Sequence, residues 1–396
     1  MGLSHSPNII KDGLFAIYDG ANIRSFRGEP TTNYLTTALT PNSATKESFS
    51  GTITENAELA PDGTMTAHLF QVSSGYVYQT LTIPTATTIT YSVWIRTLDG
   101  SSTTSYGPYI WNYNSPTYGI VARDLSGVGP TWKRMQMTYT TLSHQSSFAI
   151  SYAGTNGGMQ GTYAFWRPQL EYTSSPTAFT SSSRGTTNAT GGGWVDLSGN
   201  GKHGELVNGP TYNSDKGGSI VFDGTNDYIN LGNLGTIGNQ QTIDVWFYST
   251  SVTNYKNVLD MNYGNYGSTG NVGPRLEQST GGGSGWVWSG NTSNNSLLTG
   301  QGTLYSLSAN TWYNATWVND NGTVAVYLNG VATQTGISST YGFITTYGAA
   351  SIGRGFHLDS SRYFAGRVGT VKIYSKVLSA TEILQNFNAT RDRYGV

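Results

Sequence analysis

The sequence predicts an all-β protein built from antiparallel β-sandwiches, and two observations support this prediction. First, much of the 396-residue chain alternates apolar and polar residues over strand-length segments that end in Gly, Asn or Asp. This is the pattern of half-buried antiparallel strands joined by tight turns. Second, charged residues make up only 11% of the chain, which contains 51 Gly, 27 Tyr and 10 Trp residues. Disordered chains have few aromatic residues and coiled coils are rich in Glu, Lys and Leu, so both of those classes are excluded.

The second half of the chain contains a series of predicted strands within residues 213–390. The segments are GGSIVFDGTNDYINLG, TIDVWFYST, NTWYNATWV, GTVAVYLNGV, AASIGRG and YFAGRVGTVKIYSKVLSATEILQNF. The dipeptides Asp223-Gly224, Asn321-Gly322 and Asn329-Gly330 supply the positive-φ residues that tight hairpin turns require. This part of the chain is therefore predicted to form one β-sandwich.

The middle of the chain predicts a second sandwich. Residues 31–180 contain AELAPDGTMTAHLFQV, YVYQTLTIP, TITYSVWIRTL, WKRMQMTYTTL, SFAISYAG and YAFWRPQLEYTSSPTAF. In TITYSVWIR the apolar residues recur at every second position, which places Ile89, Tyr91, Val93 and Ile95 on one face of a strand.

The chain ends in a predicted helix. Ser379 and Glu382 have the spacing of a capping box, and Ile383, Leu384 and Phe387 follow at helical spacing. A short helix is expected at about residues 380–390. The strand GTVKIYSKV before it is expected to pair with GLFAIYD near the N-terminus.

Both halves resemble known families. The series of segments in residues 213–390 resembles a laminin-G-like domain of the concanavalin A-like lectin/glucanase superfamily. The APDG turn, the TYSVWIR strand and the closing W-x-x-QLE segment of residues 31–180 resemble family 4/9-type carbohydrate-binding jelly rolls, as found in structural proteins of tailed phages, including cyanophage-like ones. Such domains bind ligands or decorate surfaces far more often than they catalyse reactions.

The laminin-G-like resemblance also indicates an insertion. GLFAIYDGANIRSF at residues 13–26 resembles the opening strand of that domain, and its usual continuation is present only from Trp194, as WVDLSGNGKHG. The prediction is therefore two antiparallel β-sandwich (jelly-roll) domains, one inserted in the other, with a short C-terminal helix. The first strand lies in residues 1–29, the inserted jelly roll in 31–180, a Ser/Thr/Gly linker in 181–193 and the remainder of the laminin-G-like domain in 194–396.

Two aromatic-rich loop regions are candidate ligand-binding surfaces, because exposed Trp and Tyr rings stack on sugar rings. An alternative interpretation is that these aromatic side chains fill the core or a subunit interface, and for any single Trp this is the better expectation. Trp94, Trp132, Trp246, Trp312 and Trp317 are expected in the core because they lie in strands. The candidates for glycan or interface contact are Tyr109, Trp111, Tyr113 and Tyr118 in the first region, and Tyr263, Tyr266, Trp286 and Trp288 in the second. Trp286 and Trp288 are two residues apart, so in a strand they are expected to project from one face as an aromatic strip.

No catalytic chemistry is expected. Glycoside hydrolysis requires two facing carboxylates, whereas acidic residues are scattered singly along this chain and its five His residues have no zinc-ligand spacing. No cofactor is expected. Calcium remains an alternative at Asp62, Asp223 and Asp227, although Asp before Gly is also ordinary turn chemistry.

The expected function is that of a non-enzymatic phage virion protein, displayed on the capsid or tail exterior as a decoration or fibre-type protein with glycan binding. The absence of Cys allows folding in a reducing cytoplasm, and the N-terminus lacks the apolar segment of a secretory signal. Assembly in the host cytoplasm and release by lysis are therefore expected. The alternatives are a host-attachment tail fibre or adhesin that binds cell-surface polysaccharide, and a secreted bacterial carbohydrate-binding module.

The expected partners are other virion proteins of the capsid or tail, further copies of the chain in a homo-oligomer such as a trimer, and cell-surface polysaccharide. A net charge of −1 gives no basic face for nucleic acid, and no apolar run is long enough to span a membrane. Neither nucleic acid nor membrane is therefore expected as a partner.

Overall fold

The chain divides into two compact units. The computed structural model describes residues 8–38, 40–100, 107–154, 161–181, 183–251, 256–261, 273–279, 285–289, 302–303, 307–338, 345–355 and 362–396. The first unit consists of Met1–Pro30 together with Gly185–Val396, and the second unit is Thr31–Arg184. In sequence, the second unit thus lies between the two segments of the first.

Strands form most of both units, which confirms the all-β prediction. The first unit opens with β1 (Leu14–Asp19). The second unit contains β2 (Thr31–Thr32), β3 (Thr45–Glu58), β4 (Ala67–Thr82), β5 (Thr88–Thr97), β6 (Tyr109–Asn112), β7 (Gly119–Arg123), β8 (Lys133–Thr140), β9 (Ser147–Gly154), β10 (Gly161–Glu171) and β11 (Ser183–Arg184). The first unit resumes with β12 (Glu205–Val207), β13 (Thr211–Asn213), β14 (Ser219–Asp223), β15 (Tyr228–Gly232), β16 (Gly235–Thr236), β17 (Gln240–Ser249), β18 (Asn257–Asp260), β19 (Arg275–Ser279), β20 (Gly285–Ser289), β21 (Gly302–Thr303), β22 (Trp312–Asp320), β23 (Thr323–Leu328), β24 (Val331–Ser338), β25 (Thr346–Tyr347), β26 (Ala350–Ile352), β27 (Ala365–Tyr374), α1 (Ala380–Asn388) and α2 (Arg391–Tyr394).

Two large antiparallel sheets enclose the core of the first unit. One has the order β13-β14-β27-β17-β22-β23-β24, with β1 also paired to β27, and the other has the order β12-β15-β26-β18-β19-β20-β21. Alternation along β17 directs Ile243, Val245 and Phe247 into the core, where they join side chains from both sheets. The predicted hairpins at Asn321-Gly322 and Asn329-Gly330 are confirmed, because all four residues have φ between 50° and 97°.

The first and last strands are neighbours, as predicted. Strand β1 pairs with β27 in a register that runs from Leu14 opposite Tyr374 to Asp19 opposite Thr370. The remainder of the same edge of β27 is occupied by β14, with Ile220 opposite Val368. The two segments meet end to end, because a Cβ on Gly20 would lie only 2.9 Å from the Gly218 carbonyl oxygen. One edge of a central strand is thus filled by two segments that lie about 200 residues apart in sequence.

The C-terminal helices cover the outer face of this sheet. The predicted capping box is confirmed: the Glu382 amide donates to Ser379 Oγ and the Ser379 amide donates to Glu382 Oε2. On the face of β17 away from the core, the Trp246 ring stacks on Phe387 at 5.6 Å and on Tyr394 at 4.2 Å. Neither described helix is long and apolar enough to cross a membrane.

A long bent strand organises the second unit. The first part of β4 pairs with β10 and the last part pairs with β9, so β4 links the strand order β7-β6-β9 to β10-β5-β8. The bend lies near Gly75, which has a φ of 83° and whose position would bring a Cβ within 2.2 Å of the Ser48 carbonyl oxygen on β3. Only glycine fits such a close approach. Side chains from both halves of the bent sheet then fill one core.

The ends of the second unit lie side by side. Strand β2 pairs with β11, with Thr31 opposite Arg184, and the Arg184 guanidinium donates to the Ala178 carbonyl oxygen at 2.9 Å. The segment 181–193, which the sequence predicted to be a linker, instead contains β11 and a short 3₁₀ helix at Asn188–Thr190. The boundary between the units falls at Arg184 rather than at residue 180. Hydrogen bonds of Ser, Thr and Arg residues hold this segment, and hydrophobic periodicity does not reveal such bonds.

We expect residues 31–184, expressed alone, to unfold in one cooperative transition, because the core and the paired ends of this unit belong to it alone. Thermal unfolding followed by circular dichroism measures this. As the matched test, residues 185–396 should fold only when residues 1–30 are joined to them, since β1 covers part of one edge of β27. Equal cooperativity of residues 185–396 without residues 1–30 would show that the first unit does not need its N-terminal strand.

Replacing Asp244 by Asn should destabilise the first unit by about 3–5 kcal/mol, because it leaves the Lys372 ammonium buried without a counter-charge. Lys372 Nζ lies 2.5 Å from Asp244 Oδ1, and both side chains are 1% exposed. Asp12→Asn is the control, since Asp12 pairs with Lys376 at the surface and such pairs contribute little to stability. Chemical denaturation measures both variants, and equal effects would contradict this account of the buried pair.

Candidate functional site

The predicted aromatic residues have three different outcomes. Tyr109, Trp111, Tyr113 and Tyr118 lie together in the second unit. Tyr263 and Tyr266 lie outside the described residues. The prediction that Trp286 and Trp288 offer an exposed aromatic strip is wrong, because each is 1% exposed and both belong to the core of the first unit.

The burial of these two tryptophans follows from their position in the sheet. They lie on one face of β20, as their spacing of two residues predicted, but this is the face directed to the core. Trp286 packs 4.9 Å from the Phe247 ring, and the Trp288 ring lies 6.5 Å from Trp317. Period-two alternation therefore identifies which residues share a face, but it does not identify which face is exposed.

The four aromatic residues of the second unit line a groove of about 290 Å³. Four further residues complete its lining, and the groove is called the aromatic groove below. Its lining residues are Glu47, Tyr76, Tyr78, Tyr109, Trp111, Tyr113, Tyr118 and Ala149.

Strand alternation produces this lining from three adjacent strands. On β6, Ile110 enters the core and its neighbours Tyr109 and Trp111 face the groove. On β4, Val77 enters the core and its neighbours Tyr76 and Tyr78 face the groove. These two strands flank β9.

A small residue on β9 keeps the middle of the groove open. Ala149 lies directly opposite Trp111 on β6 and opposite Thr80 on β4. Since its side chain is a single methyl group, space remains between the indole of Trp111 and the tyrosines of β4.

The rings in the groove are arranged at steep angles rather than in a stack. The Trp111 ring lies 5.3 Å from Tyr118 at 90° and 6.4 Å from Tyr109 at 60°. Tyr118 is the most exposed of these residues at 65%, whereas Tyr109 is only 5% exposed. Tyr109 therefore supports the groove from below, with the Arg123 guanidinium 5.6 Å from its ring, and it offers less contact surface than the sequence predicted.

A network of amide side chains fixes the loop that carries Tyr113 and Tyr118. The buried Asn112 side-chain amide donates to the carbonyl oxygens of Asn114 and Thr117, both at 2.8 Å. The buried Gln145 side-chain amide donates to Thr117 Oγ1 at 2.6 Å, and Asn114 Oδ1 accepts from the Ser147 amide at 2.8 Å. The backbone of the loop is thus held from within and from β9, which fixes where Tyr113 and Tyr118 are attached.

Polar groups lie at the β4 side of the groove. The Tyr78 hydroxyl donates to Glu47 Oε2 at 3.0 Å. Burial raises the pKa of Tyr78, with further contributions from its hydrogen bond to Tyr113 and from Glu47. Burial likewise raises the pKa of Tyr113. Both hydroxyls therefore stay protonated at neutral pH, so they can donate as well as accept hydrogen bonds, and Glu47 adds a carboxylate acceptor.

Sequence reasoning missed Tyr76, Tyr78 and Glu47 as groove residues. The segment YVYQTLT was predicted to be a strand, but its place beside β9 depends on pairing between segments that are far apart in sequence.

Trp94 and Trp132, expected in the core, are instead partly exposed on β5 and beside β8, whereas Trp246, Trp312 and Trp317 are buried as expected.

The carboxylates considered for calcium serve other purposes. Asp62 Oδ1 accepts from the Thr64 amide at 3.1 Å, and Oδ2 lies 3.0 Å from Arg167 Nη2. Asp227 Oδ2 accepts from the Asp223 amide, and Asp223 Oδ1 accepts from the Thr225 amide.

Calcium requires six to eight oxygen ligands. Across the described ranges, no cluster of three or more His, Cys, Asp or Glu side chains could hold a metal ion. Turn chemistry accounts for the described hydrogen bonds of these aspartates, and the calcium alternative stays a prediction.

Comparison with solved structures gives matches of low similarity. Domain 4 of AbnA, an extracellular arabinanase from Geobacillus stearothermophilus in complex with arabinotriose, is 19% identical with a TM-score of 0.39, and the match covers 48% of this chain and 91% of that one. The botulinum neurotoxin serotype D binding domain is 18% identical with a TM-score of 0.37, covering 49% of this chain and 48% of that one. The binding domain of Paraclostridial Mosquitocidal Protein 1 is 16% identical with a TM-score of 0.37, covering 49% of each chain.

A search of curated proteins found no match. A search of protein families found one in the first unit, where residues 223–384 match the model described as the concanavalin A-like lectin/glucanases superfamily. The range runs from the end of β14 into α1 and so includes most of the strands of both sheets. Residues 223–384 are therefore a domain of the concanavalin A-like lectin/glucanase superfamily.

Proposed function

We propose that this chain is a non-enzymatic glycan-binding protein and that the aromatic groove of the second unit is its binding surface. The observation that carries the proposal is the position of Tyr118 and Trp111, two perpendicular rings 5.3 Å apart at an open groove. Sugar rings present apolar C–H faces that pack on such rings, while nearby polar groups fix their orientation.

The polar side of the groove suits the hydroxyl groups of a glycan. The hydroxyls of Tyr78 and Tyr113 and the carboxylate of Glu47 lie along one wall. A sugar hydroxyl can donate to the carboxylate and accept from a phenol. The wall thus offers hydrogen-bond partners to neighbouring sugar hydroxyls, in addition to the hydrogen bond that Tyr78 donates to Glu47.

The fixed loop favours binding at low entropic cost. Asn112 and Gln145 already hold the backbone and the Thr117 side chain of the loop, so the rings of Tyr113 and Tyr118 need little ordering when a ligand arrives. Preorganisation of this kind increases affinity without additional contacts.

Binding without turnover fits the distribution of carboxylates. Among the described residues that line the groove, Glu47 is the only carboxylate, whereas glycoside hydrolysis uses a pair of them. Glu47 is also engaged by the Tyr78 hydroxyl. These features support a binding role.

The proposal is tested by retention of the full chain in native gels that contain neutral polysaccharides. Tyr118→Ala should weaken retention about tenfold or more, since burial of an aromatic ring contributes roughly 1.5–3 kcal/mol, and should leave the melting temperature nearly unchanged because the ring is exposed. Tyr172→Ala, a partly exposed tyrosine of the same unit outside the groove, is the control and should keep full retention. Unchanged retention of Tyr118→Ala would refute the groove as the binding surface.

We also propose that the protein acts as part of a phage virion, on the capsid or tail exterior, and assembles there with other virion proteins and with further copies of itself. The sequence resemblance of residues 31–180 to jelly rolls of phage structural proteins supports this setting. Two settings compete with it: a host-attachment tail fibre that uses the groove to bind cell-surface polysaccharide, and a secreted bacterial binding module.

Mass spectrometry of intact, washed particles tests the virion setting, and the chain should be present at a stoichiometry that fits symmetric multimers such as trimers. Its absence from particles, together with its presence free in culture medium, would favour the secreted module.

A further inference from the structure

A second cleft of about 320 Å³ lies elsewhere in the second unit. It belongs to the β10-β5-β8 half of the bent sheet, whereas the aromatic groove belongs to the β7-β6-β9 half. It is called the arginine cleft here, and its lining includes Asp62, Trp94, Arg134, Trp166, Arg167 and Phe179.

Arg167 enters this cleft from an unusual backbone position. It lies in a β-bulge of β10, where the pairing with β5 shifts between Trp166 and Gln169, and its φ is 50°. A residue that is neither Gly nor Asn rarely adopts this conformation. Bulges redirect side chains and are frequent beside binding sites, and backbone strain of this kind is concentrated at functional positions.

The Arg167 guanidinium is held by two aromatic rings and one weak ion pair. It lies 3.9 Å from the centre of the Trp166 ring and 5.4 Å from that of Phe179. Its Nη2 lies 3.0 Å from Asp62 Oδ2, in a pair whose side chains are 38% and 34% exposed. Half-exposed pairs contribute little to stability, so a carboxylate of a ligand can compete with Asp62 for this guanidinium.

Arg134 supplies a second cation in the same cleft. Its Nη2 donates to the Thr177 carbonyl oxygen at 2.6 Å and to Ser92 Oγ at 3.0 Å, so neutral oxygens fix the position of the guanidinium. Within the part of the chain that the structure describes, Arg134 forms no ion pair. Burial lowers the pKa of Arg134 while the nearby Glu171 raises it.

The oxygens of Glu171 are occupied by other partners. They accept hydrogen bonds from the hydroxyl of Thr31 and from the amide and hydroxyl of Thr177. Glu171 therefore acts on Arg134 through its charge, while Arg134 Nη2 donates its hydrogen bonds to neutral oxygens.

We propose that the arginine cleft binds the carboxylate of an acidic sugar, with Arg134 and Arg167 as its cationic partners and the Trp94 ring as the wall for the sugar ring. A guanidinium offers paired N–H donors that match a carboxylate. Trp94 is partly exposed and lies 6.5 Å from Trp166, so it presents apolar surface beside both cations. The site is separate from the aromatic groove, where Glu47 would repel an acidic sugar.

Nuclear magnetic resonance of the full chain, observed at the tryptophan indole N–H groups, tests this proposal with D-glucuronate, N-acetylneuraminate and D-glucose as probes. The signals of Trp94 and Trp166, assigned with Trp94→Phe and Trp166→Phe, should shift with at least one of the two acidic sugars and not with glucose. The acidic sugar that gives the larger shift then distinguishes a uronic acid from a sialic acid as the preferred source of the carboxylate. Signals that stay in place with both acids, or that shift equally with glucose, would overturn the proposal.

Charge-removing variants locate the site. Arg167→Gln and Arg134→Gln should each weaken binding of the acidic sugar about tenfold or more, as expected for loss of a charged hydrogen-bonded partner. Arg96→Gln is the matched control, because Arg96 also forms a partly exposed pair, with Glu58 at 3.2 Å, and lies over a tryptophan, Trp132, yet it does not line the cleft. An equal loss in Arg96→Gln would reduce the effect to general charge and contradict the site.

Two further comparisons keep the outcome decisive. If Arg134→Gln lowers the melting temperature, its loss of binding can come from damage to the fold. Binding by Arg167→Gln, whose side chain is 38% exposed, is then the test of the site. Tyr118→Ala should leave the shifts caused by the acidic sugar unchanged, because Tyr118 lies in the aromatic groove. Loss of those shifts in Tyr118→Ala would place the acid in the groove and refute the arginine cleft, whatever the outcome with neutral polysaccharides.

Discussion

The pairing of β1 with β27 is the constraint on which the organisation of the chain into two units depends. Strand β27 has one edge occupied by β17 and the other edge divided between β1 and β14. The Ile17 amide also donates to Asp196 Oδ1 at 2.9 Å, and Phe26 forms a β-bridge with Trp194. The first 30 residues are therefore held in the first unit by several contacts. The chain enters the second unit after Pro30 and returns to the first unit at Gly185.

The same logic of strand pairing explains how the second unit can carry a binding surface. Pairing of β2 with β11 closes the second unit at its base, and the bent β4 lets a single sheet enclose its own core. With the core filled from one face, the outer face of β6, β9 and β4 is free to carry Trp and Tyr side chains. Asn112 and Gln145 hold the adjoining loop with buried amides, which supports the binding role proposed for this surface.

The sequence predicted the secondary structure well, because alternation with a period of two and turn dipeptides are local signals. The strands, the Asn-Gly hairpins and the capping box of α1 could be anticipated from these signals. The pairing of β1 with β27 was expected for another reason, namely that the first and last strands of such sandwiches are neighbours. The superfamily of residues 223–384 was also recognised from these segments.

What could not be predicted depends on contacts between distant segments. Trp286 and Trp288 were correctly placed on one face of a strand, but the identity of the inward face is set by packing against Phe247 and Trp317. Tyr76 and Tyr78 reach the aromatic groove only because β4 lies beside β9. The Arg167 bulge has no signature in hydrophobic periodicity. The signal that was available is the sequence Trp-Arg-Pro, since a proline cannot donate to the strand ladder and often marks a bulge.

The central claim, that the aromatic groove binds a glycan, is tested most directly by a crystal structure of the full chain grown with an oligosaccharide of the best-retained polysaccharide. We expect a sugar ring packed on Tyr118 and Trp111, with hydroxyl groups hydrogen-bonded to Tyr78, Tyr113 or Glu47. An oligosaccharide bound elsewhere on the chain, with the groove filled only by water, would contradict the account.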